Sequence, residues 1–299
     1  MTLPPRLERG AKIGIAAISG PVDEGRLDAG IARLRARGYG IVEAANLRRR
    51  EGLFAGSDAE RARGYEALVL GPTVDAVFFA RGGYGAVRVL DRLEGDRIVE
   101  RPKIHLGSSD LTALFAYLGA RGLPTFYGPM VAVEIAEEER LDWESVLSGG
   151  RLETHRVGAG DVIVGGSGEG PLVGGCLSIL ASLCGTAHAL NARGRVLFWE
   201  DIGEEIYRLD RMLTQLERSG TFDQIQGMII GSVVSRDRAE PPENVREYLR
   251  DRFREAPFPV AAGLPAGHLR RPRTLPLGLA VRVDLESEPR VSFSEKAAA

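Results

Sequence analysis

The first 120 residues repeat one pattern: a short apolar run, a turn rich in glycine or serine, then apolar residues at helical spacing. Lys12 to Ile18 is such a run and ends at Ser19-Gly20-Pro21. Asp23 to Arg37 follows with Leu27, Ile31 and Leu34 on one helical face, and stops at Gly38. Residues 40–44 form a second run. Ser57 caps a helix from Asp58 onward, with Glu60 placed three residues later to complete a capping box. Val74 to Ala80 reads as a buried strand, followed by Gly82-Gly83-Tyr84-Gly85 and a helix through Val87, Leu90 and Leu93. Ile104 to Leu106 is a further strand, turning at Gly107 into a helix over 110–120. Units of this length alternate only when parallel strands share one sheet with helices on both faces.

The pattern continues weakly over 124–150 and gives way to a stretch with glycine at 149, 150, 158, 160, 165, 166, 168 and 170. This stretch carries strand signals at 151–156 and 161–164. The expected division is a first domain over 1–148, a Gly-rich connector over 149–168 and a second domain over 169–299. The second domain is expected to hold a core helix over 173–184, a strand Val196–Trp199 and an amphipathic helix around Ile206, Leu209, Leu213 and Leu216. A strand Met228–Gly231, a charged helix near 242–254 and short final strands complete it.

Charge decides what the chain does not resemble. With 39 Lys+Arg against 41 Asp+Glu, the net charge of -2 argues against a general nucleic-acid or membrane-surface binder. Only Lys12, Lys103 and Lys296 are lysines, but the arginines are spread along the whole chain, as coding bias spreads them. No charge occurs from Gly170 to Ala192. Its glycines, serines, His188 and Asn191 mark a buried helix with polar ends rather than a membrane span. The first ten residues lack the apolar core of a signal peptide, so a cytoplasmic protein is expected. Cys176 and Cys184 read as small core residues. No metal-ligand spacing and no cofactor motif of standard form is present.

Four segments could carry chemistry. Ala80-Arg81-Gly82-Gly83-Tyr84-Gly85 lies between strand and helix. It can aim free N–H groups at a negative charge or serve as a tight turn, and its spacing is not that of a nucleotide loop. Gly107-Ser108-Ser109-Asp110 can expose a serine hydroxyl at the sheet edge with the next N–H facing an oxyanion, or simply cap a helix. Glu200-Asp201 ends an apolar strand, where a buried carboxylate needs a partner. His268 follows Gly263-Leu264-Pro265 in a loop, a position suited to a general base or to a solvent-facing bystander. His105, His155 and His188 are weaker candidates. The order Ser, Glu, His fits nucleophile, orienting carboxylate and base.

Over nearly its full length the chain resembles the LD-carboxypeptidases. The shared segments include Ser19-Gly20-Pro21, residues 54–61, residues 79–85, residues 107–114 and Tyr127-Gly128-Pro129-Met130. They continue with residues 174–178, residues 181–186, residues 200–205, residues 207–213 and Gly263 to His268. The resemblance implies a flavodoxin-like parallel-sheet N-terminal domain, a smaller β-rich α/β C-terminal domain and a homodimer. It assigns Ser109 as nucleophile, Glu200 as the triad carboxylate and His268 as base. Asp110 and Gly83 would supply oxyanion-hole N–H groups. Arg81, Tyr84 and Ser108 are the candidate substrate contacts, Arg81 for a free carboxylate. Ser108 stands where the family usually has an aromatic residue, and Cys176 where it commonly has Asn. The implied activity is release of terminal D-alanine from murein tetrapeptides in cell-wall recycling, without metal or cofactor. Two alternatives stay open: a microcin-type self-immunity hydrolase acting on a peptide-nucleotide, and a non-catalytic binder of small anions or nucleotides.

Overall fold

A computed structural model describes residues 2–150, 152–234, 243–293 and 298. They form two compact units, one of Met1–Gly150 with Arg273–Pro276 and the terminus, the other of Arg151–Pro272 with Leu277–Lys296.

The first unit is built on a six-stranded sheet ordered Leu275–Leu277, Thr125–Tyr127, Ile104–Gly107, Ala76–Phe79, Lys12–Ala16, Gly40–Glu43. The five strands before residue 130 are parallel, and their order by sequence is 2-1-3-4-5, that of a flavodoxin-like sheet. Nearly every residue of the three central strands is buried, as expected of strands covered on both faces. Asp23 caps the helix Glu24–Ala36, whose buried face is Leu27, Ile31 and Leu34. Gly30 lies on the same face, where a Cβ would collide with the Val131 carbonyl. The helix Asp58–Leu70 starts in the expected capping box, with the Ser57 and Glu60 side chains each bonded to the other's backbone N–H.

Two expected α-helices differ. Residues Ala86–Arg92 form a 3-10 helix, and a 3-10 turn Ser109–Leu111 precedes the α-helix Thr112–Gly119. Ala86, Val89, Leu90 and Leu93 are buried at i, i+3, i+4 and i+7, the spacing of an α-helix, so nothing in the sequence pattern marks the tighter turn.

The second unit carries an eight-stranded mixed sheet. Its order is His155–Arg156, Arg290–Phe293, Ala280–Asp284, Ser167–Cys176, Val196–Ile202, Gly227–Val234, Val260–Ala261, Val162–Val164. Strands thus occupy part of the Gly-rich stretch, and 155–164 lies within this unit.

The expected core helix over 173–184 is corrected. A strand runs through Cys176, and the helix is only Leu177–Leu183. Gly174 and Gly175 have φ of 130° and 147°, outside any helix, and a Cβ on Gly174 would overlap the Phe198 carbonyl of the next strand. The backbone there is pinned by parallel pairing with Val196–Glu200, so local helical spacing loses to the sheet. The amphipathic helix Ile206–Arg218 buries Leu209, Leu213 and Leu216 against Trp199, Met228 and Ile230. The helix Glu243–Phe253 adds Val245, Leu249 and Phe253 to that core. Cys176 is buried, while Cys184 is only half-buried, its Sγ 3.5 Å from Ser219 Oγ. Among the described residues, no helix is long and apolar enough to cross a membrane, and no cluster of side chains could hold a metal.

Candidate active site

In an open parallel sheet, ligands bind beyond the carboxyl ends of the strands, where the strand order reverses. Here the reversal lies between Lys12–Ala16 and Ala76–Phe79. The segments leaving those two strands and the next one are Ser19-Gly20, Arg81 to Gly85, and Ser108 to Asp110, so the fold gathers three of the sequence motifs at one edge.

Ser109 adopts φ 61°; Gln224 is the other non-glycine residue at positive φ among those described. Such a conformation costs about 1–3 kcal/mol and persists only where surrounding contacts impose it. The contacts are specific. The Ser109 N–H donates to Tyr127 Oη at 3.0 Å, and the Leu111 N–H donates to the Ser108 carbonyl at 3.2 Å. The buried Asp110 carboxylate accepts from Ser19 Oγ at 2.6 Å and from the Ala86 N–H at 2.8 Å. Burial pushes the Asp110 carboxyl upward, opposed by those two hydrogen bonds. Asp110 therefore ties the Ser109 turn to the loops after the other two strands.

The glycine loop is shaped by proximity to the same serine. A Cβ on Gly82 would fall 2.8 Å from Ser109 Cβ and 2.9 Å from its Oγ, so only glycine permits this approach. The Gly20 N–H donates to the Gly82 carbonyl at 3.2 Å. Among the described residues the N–H groups of Gly83 and Asp110 donate no hydrogen bond, and Gly83 has φ 110°. Ser108 is buried in extended backbone. Arg81 is exposed, donates to the Pro21 carbonyl at 3.2 Å and has no carboxylate partner among the described residues. Tyr84 is 48% exposed, with its ring 5.7 Å from that of Phe54.

One residue that carries this arrangement received no role from the sequence. Arg61 is fully buried and donates to the carbonyls of Ile18, Gly56 and Gly85 while pairing with Asp58. It clamps two of the three loops from beneath. An arginine on the inward face of the helix Asp58–Leu70 was the available signal, because a buried cation requires such a set of acceptors.

In the second unit, Glu200 lies near the end of the strand Val196–Ile202 and is fully buried. Its Oε2 accepts from the His268 N–H at 2.9 Å and from His268 Nδ1 at 2.8 Å. A carboxylate only accepts, so Nδ1 carries a proton, and in the neutral ring the lone pair falls on Nε2. The loop geometry again depends on glycine. Gly267 has φ 108°, and a Cβ there would strike Glu200 Oε2 and lie 2.6 Å from Ser232 Oγ. The Ser232 N–H holds the loop through the Ala266 carbonyl at 2.9 Å.

Asp201 does something different from its neighbour. It accepts from the Ser178 and Ile202 N–H groups, both at 2.8 Å, and burial with the adjacent Glu200 charge raises its carboxyl to about 6. Cys176 Sγ lies 3.3 Å from Ser178 Oγ, and burial keeps the thiol protonated well above the ordinary range. The histidine that is buried among the described residues is structural. His105 joins Tyr65 Oη at 2.8 Å and the Lys103 carbonyl at 2.9 Å, and burial lowers it to about 4.

The comparisons with known proteins match both halves of the chain to one family. Residues 13–128 match the LD-carboxypeptidase N-terminal domain, and residues 169–283 match the LD-carboxypeptidase C-terminal domain. The "Probable murein peptide carboxypeptidase" of Bacillus subtilis is 31% identical over 287 residues, covering 92% of this chain and 89% of that protein. The microcin C7 self-immunity protein MccF of Escherichia coli is 26% identical over 332 residues, covering 96% and 94%. The crystal structure of muramoyltetrapeptide carboxypeptidase from Oxalobacter formigenes superposes with a TM-score of 0.83 at 27% identity, covering 94% of this chain and 97% of that one.

Proposed function

The chain belongs to the LD-carboxypeptidase family, and on that premise we propose that it is a serine carboxypeptidase releasing D-alanine from murein tetrapeptides. Ser109 is the nucleophile, His268 the base and Glu200 the group that orients it. His268 Nε2 takes the Ser109 hydroxyl proton as Oγ bonds to the carbonyl carbon before D-alanine. The tetrahedral oxyanion is met by the Asp110 and Gly83 N–H groups. His268 then gives its proton to the leaving amine, the C–N bond breaks, and water hydrolyses the acyl-enzyme by the reverse sequence. Glu200 holds the tautomer and stabilises the imidazolium. Arg81 receives the free carboxylate of the terminal residue, and Tyr84 and Ser108 line the subsite. The proposed setting is cytoplasmic cell-wall recycling by a homodimer.

The observation that carries this reading is the double hydrogen bond from His268 to the buried Glu200 carboxylate, which commits Nδ1 as a donor and supports Nε2 as the base. The test is D-alanine release from muramyl tetrapeptide. Ser109→Ala is expected to lose about 10⁴–10⁶-fold in kcat, and unchanged release would refute the mechanism. The relative named MccF motivates a second substrate arm. A wild-type enzyme that ignores tetrapeptide but cleaves an aminoacyl sulfamoyl adenosine would shift the assignment to a peptide-nucleotide hydrolase.

A further inference from the structure

The second unit contains a cavity of 290 Å³ that the proposed reaction does not use. Its walls are apolar, from Ile163, Ile230, Val233, Leu249 and Leu264. Its charged lining is Arg246, Arg250 and Asp161. The two arginines sit four residues apart on the helix Glu243–Phe253, which places them on one face about 5–6 Å apart at Cβ. Among the described residues neither has a carboxylate partner; Arg250 donates only to the Gly160 carbonyl at 2.8 Å. On the same helix Arg252 pairs with Glu217, and Arg254 just beyond its end pairs with Asp251, so among the described residues the lack of an acid sets the pair on the cavity apart from these two. Two guanidinium groups against one carboxylate leave the described lining with one net positive charge. Apolar walls with one excess cation complement a small body that is apolar at one end and singly anionic at the other.

We propose that this cavity binds a small amphipathic monoanion, a carboxylate or phosphate diester on an apolar body, and that its occupancy acts on the His268 loop. The coupling follows from what else forms the wall. Gly263, Leu264, Pro265 and Leu269 flank His268, and Ser232 fixes Ala266 through its N–H. The buried Ser232 Oγ, which has no hydrogen-bond partner among the described residues, lies against Gly267 close to the Glu200 carboxylate. A bound molecule therefore touches the segment whose register sets the Glu200–His268 hydrogen bonds. This site stands on the second unit alone and does not depend on the substrate of the reaction.

The test uses the full chain and calorimetric titration with 4-phenylbutyrate and diphenyl phosphate. Benzyl alcohol serves as the probe without charge and inorganic phosphate as the probe without an apolar body. Both amphipathic anions are expected to bind with Kd near or below about 1 mM, and both controls at least about tenfold more weakly. The double variant Arg246→Gln, Arg250→Gln should lose about tenfold in affinity for the anions while keeping its fold by circular dichroism. Ser109→Ala should bind them as the wild type does, which separates this cavity from anion binding near the nucleophile. In the wild type, saturating phenylbutyrate should shift the His268 ring resonances. Equal affinity for benzyl alcohol, unchanged binding in the double variant, unmoved His268 resonances at saturation, or no binding of either anion at about 10 mM would each overturn the proposal.

Discussion

The two regions that hold the candidate catalytic residues are built by different means. Around Ser109 the geometry is a property of the backbone. A serine is held at positive φ, a glycine is packed on its hydroxyl, and loop carbonyls are fastened from below by Arg61. Around His268 it is a property of two side chains, one buried carboxylate receiving both donors of one residue. A region made of backbone contacts should lose function and stability together when altered. A region made of a side-chain pair should allow the two to separate.

Glu200→Gln is the strongest test of the second half. An amide can donate to Nδ1 and stabilise the wrong tautomer, so kcat should fall about 10³–10⁴-fold. Because the amide nearly matches the carboxylate in shape and removes a buried charge, the melting temperature should stay near that of the wild type. Gly82→Ala is the matching test of the first half. The added methyl must displace Ser109, and a shift of about 1 Å costs about 10²-fold in rate. Here the melting temperature should fall as well. A Gly82→Ala protein that loses activity at wild-type stability would break the distinction.

Asp201 sharpens the comparison through pH. Its carboxyl lies at about 6 in the folded chain, above the ordinary value. The folded state therefore holds a proton that the unfolded state has released. Its contribution favours folding at low pH and is lost as pH rises from about 4 to about 6. Asp201→Asn cannot titrate, so thermal melts of wild type and variant should diverge across that window, with the wild type losing ground toward pH 6.5. Parallel curves would show that burial beside Glu200 does not raise the Asp201 carboxyl. The smallest effect is expected far from either region. Ser57→Ala removes the capping box and should cost about 1 kcal/mol in urea unfolding, with kcat unchanged.

Local sequence was sufficient wherever a structure depends on neighbours within one turn or one strand. The alternating runs, the Ser57–Glu60 box and the buried face Leu27, Ile31 and Leu34 all rest on spacings of two to four residues. The sequence pattern also placed Ser109 at a strand-to-helix turn and His268 in a glycine loop. It did not reveal that Gly174 and Gly175 continue a strand, because the pairing partner begins at Val196. Nor did it show that 86–92 would tighten to a 3-10 helix or that Arg61 would be swallowed whole. The positive φ of Ser109 and the hydrogen bonds between residues 200 and 268 belong to the same class. Each is decided by groups tens of residues away in the chain, whose proximity costs loop entropy and is returned only by packing the whole core. Periodicity within the chain chose the elements, and long-range burial chose their exact backbone and the partners of every charged group within them.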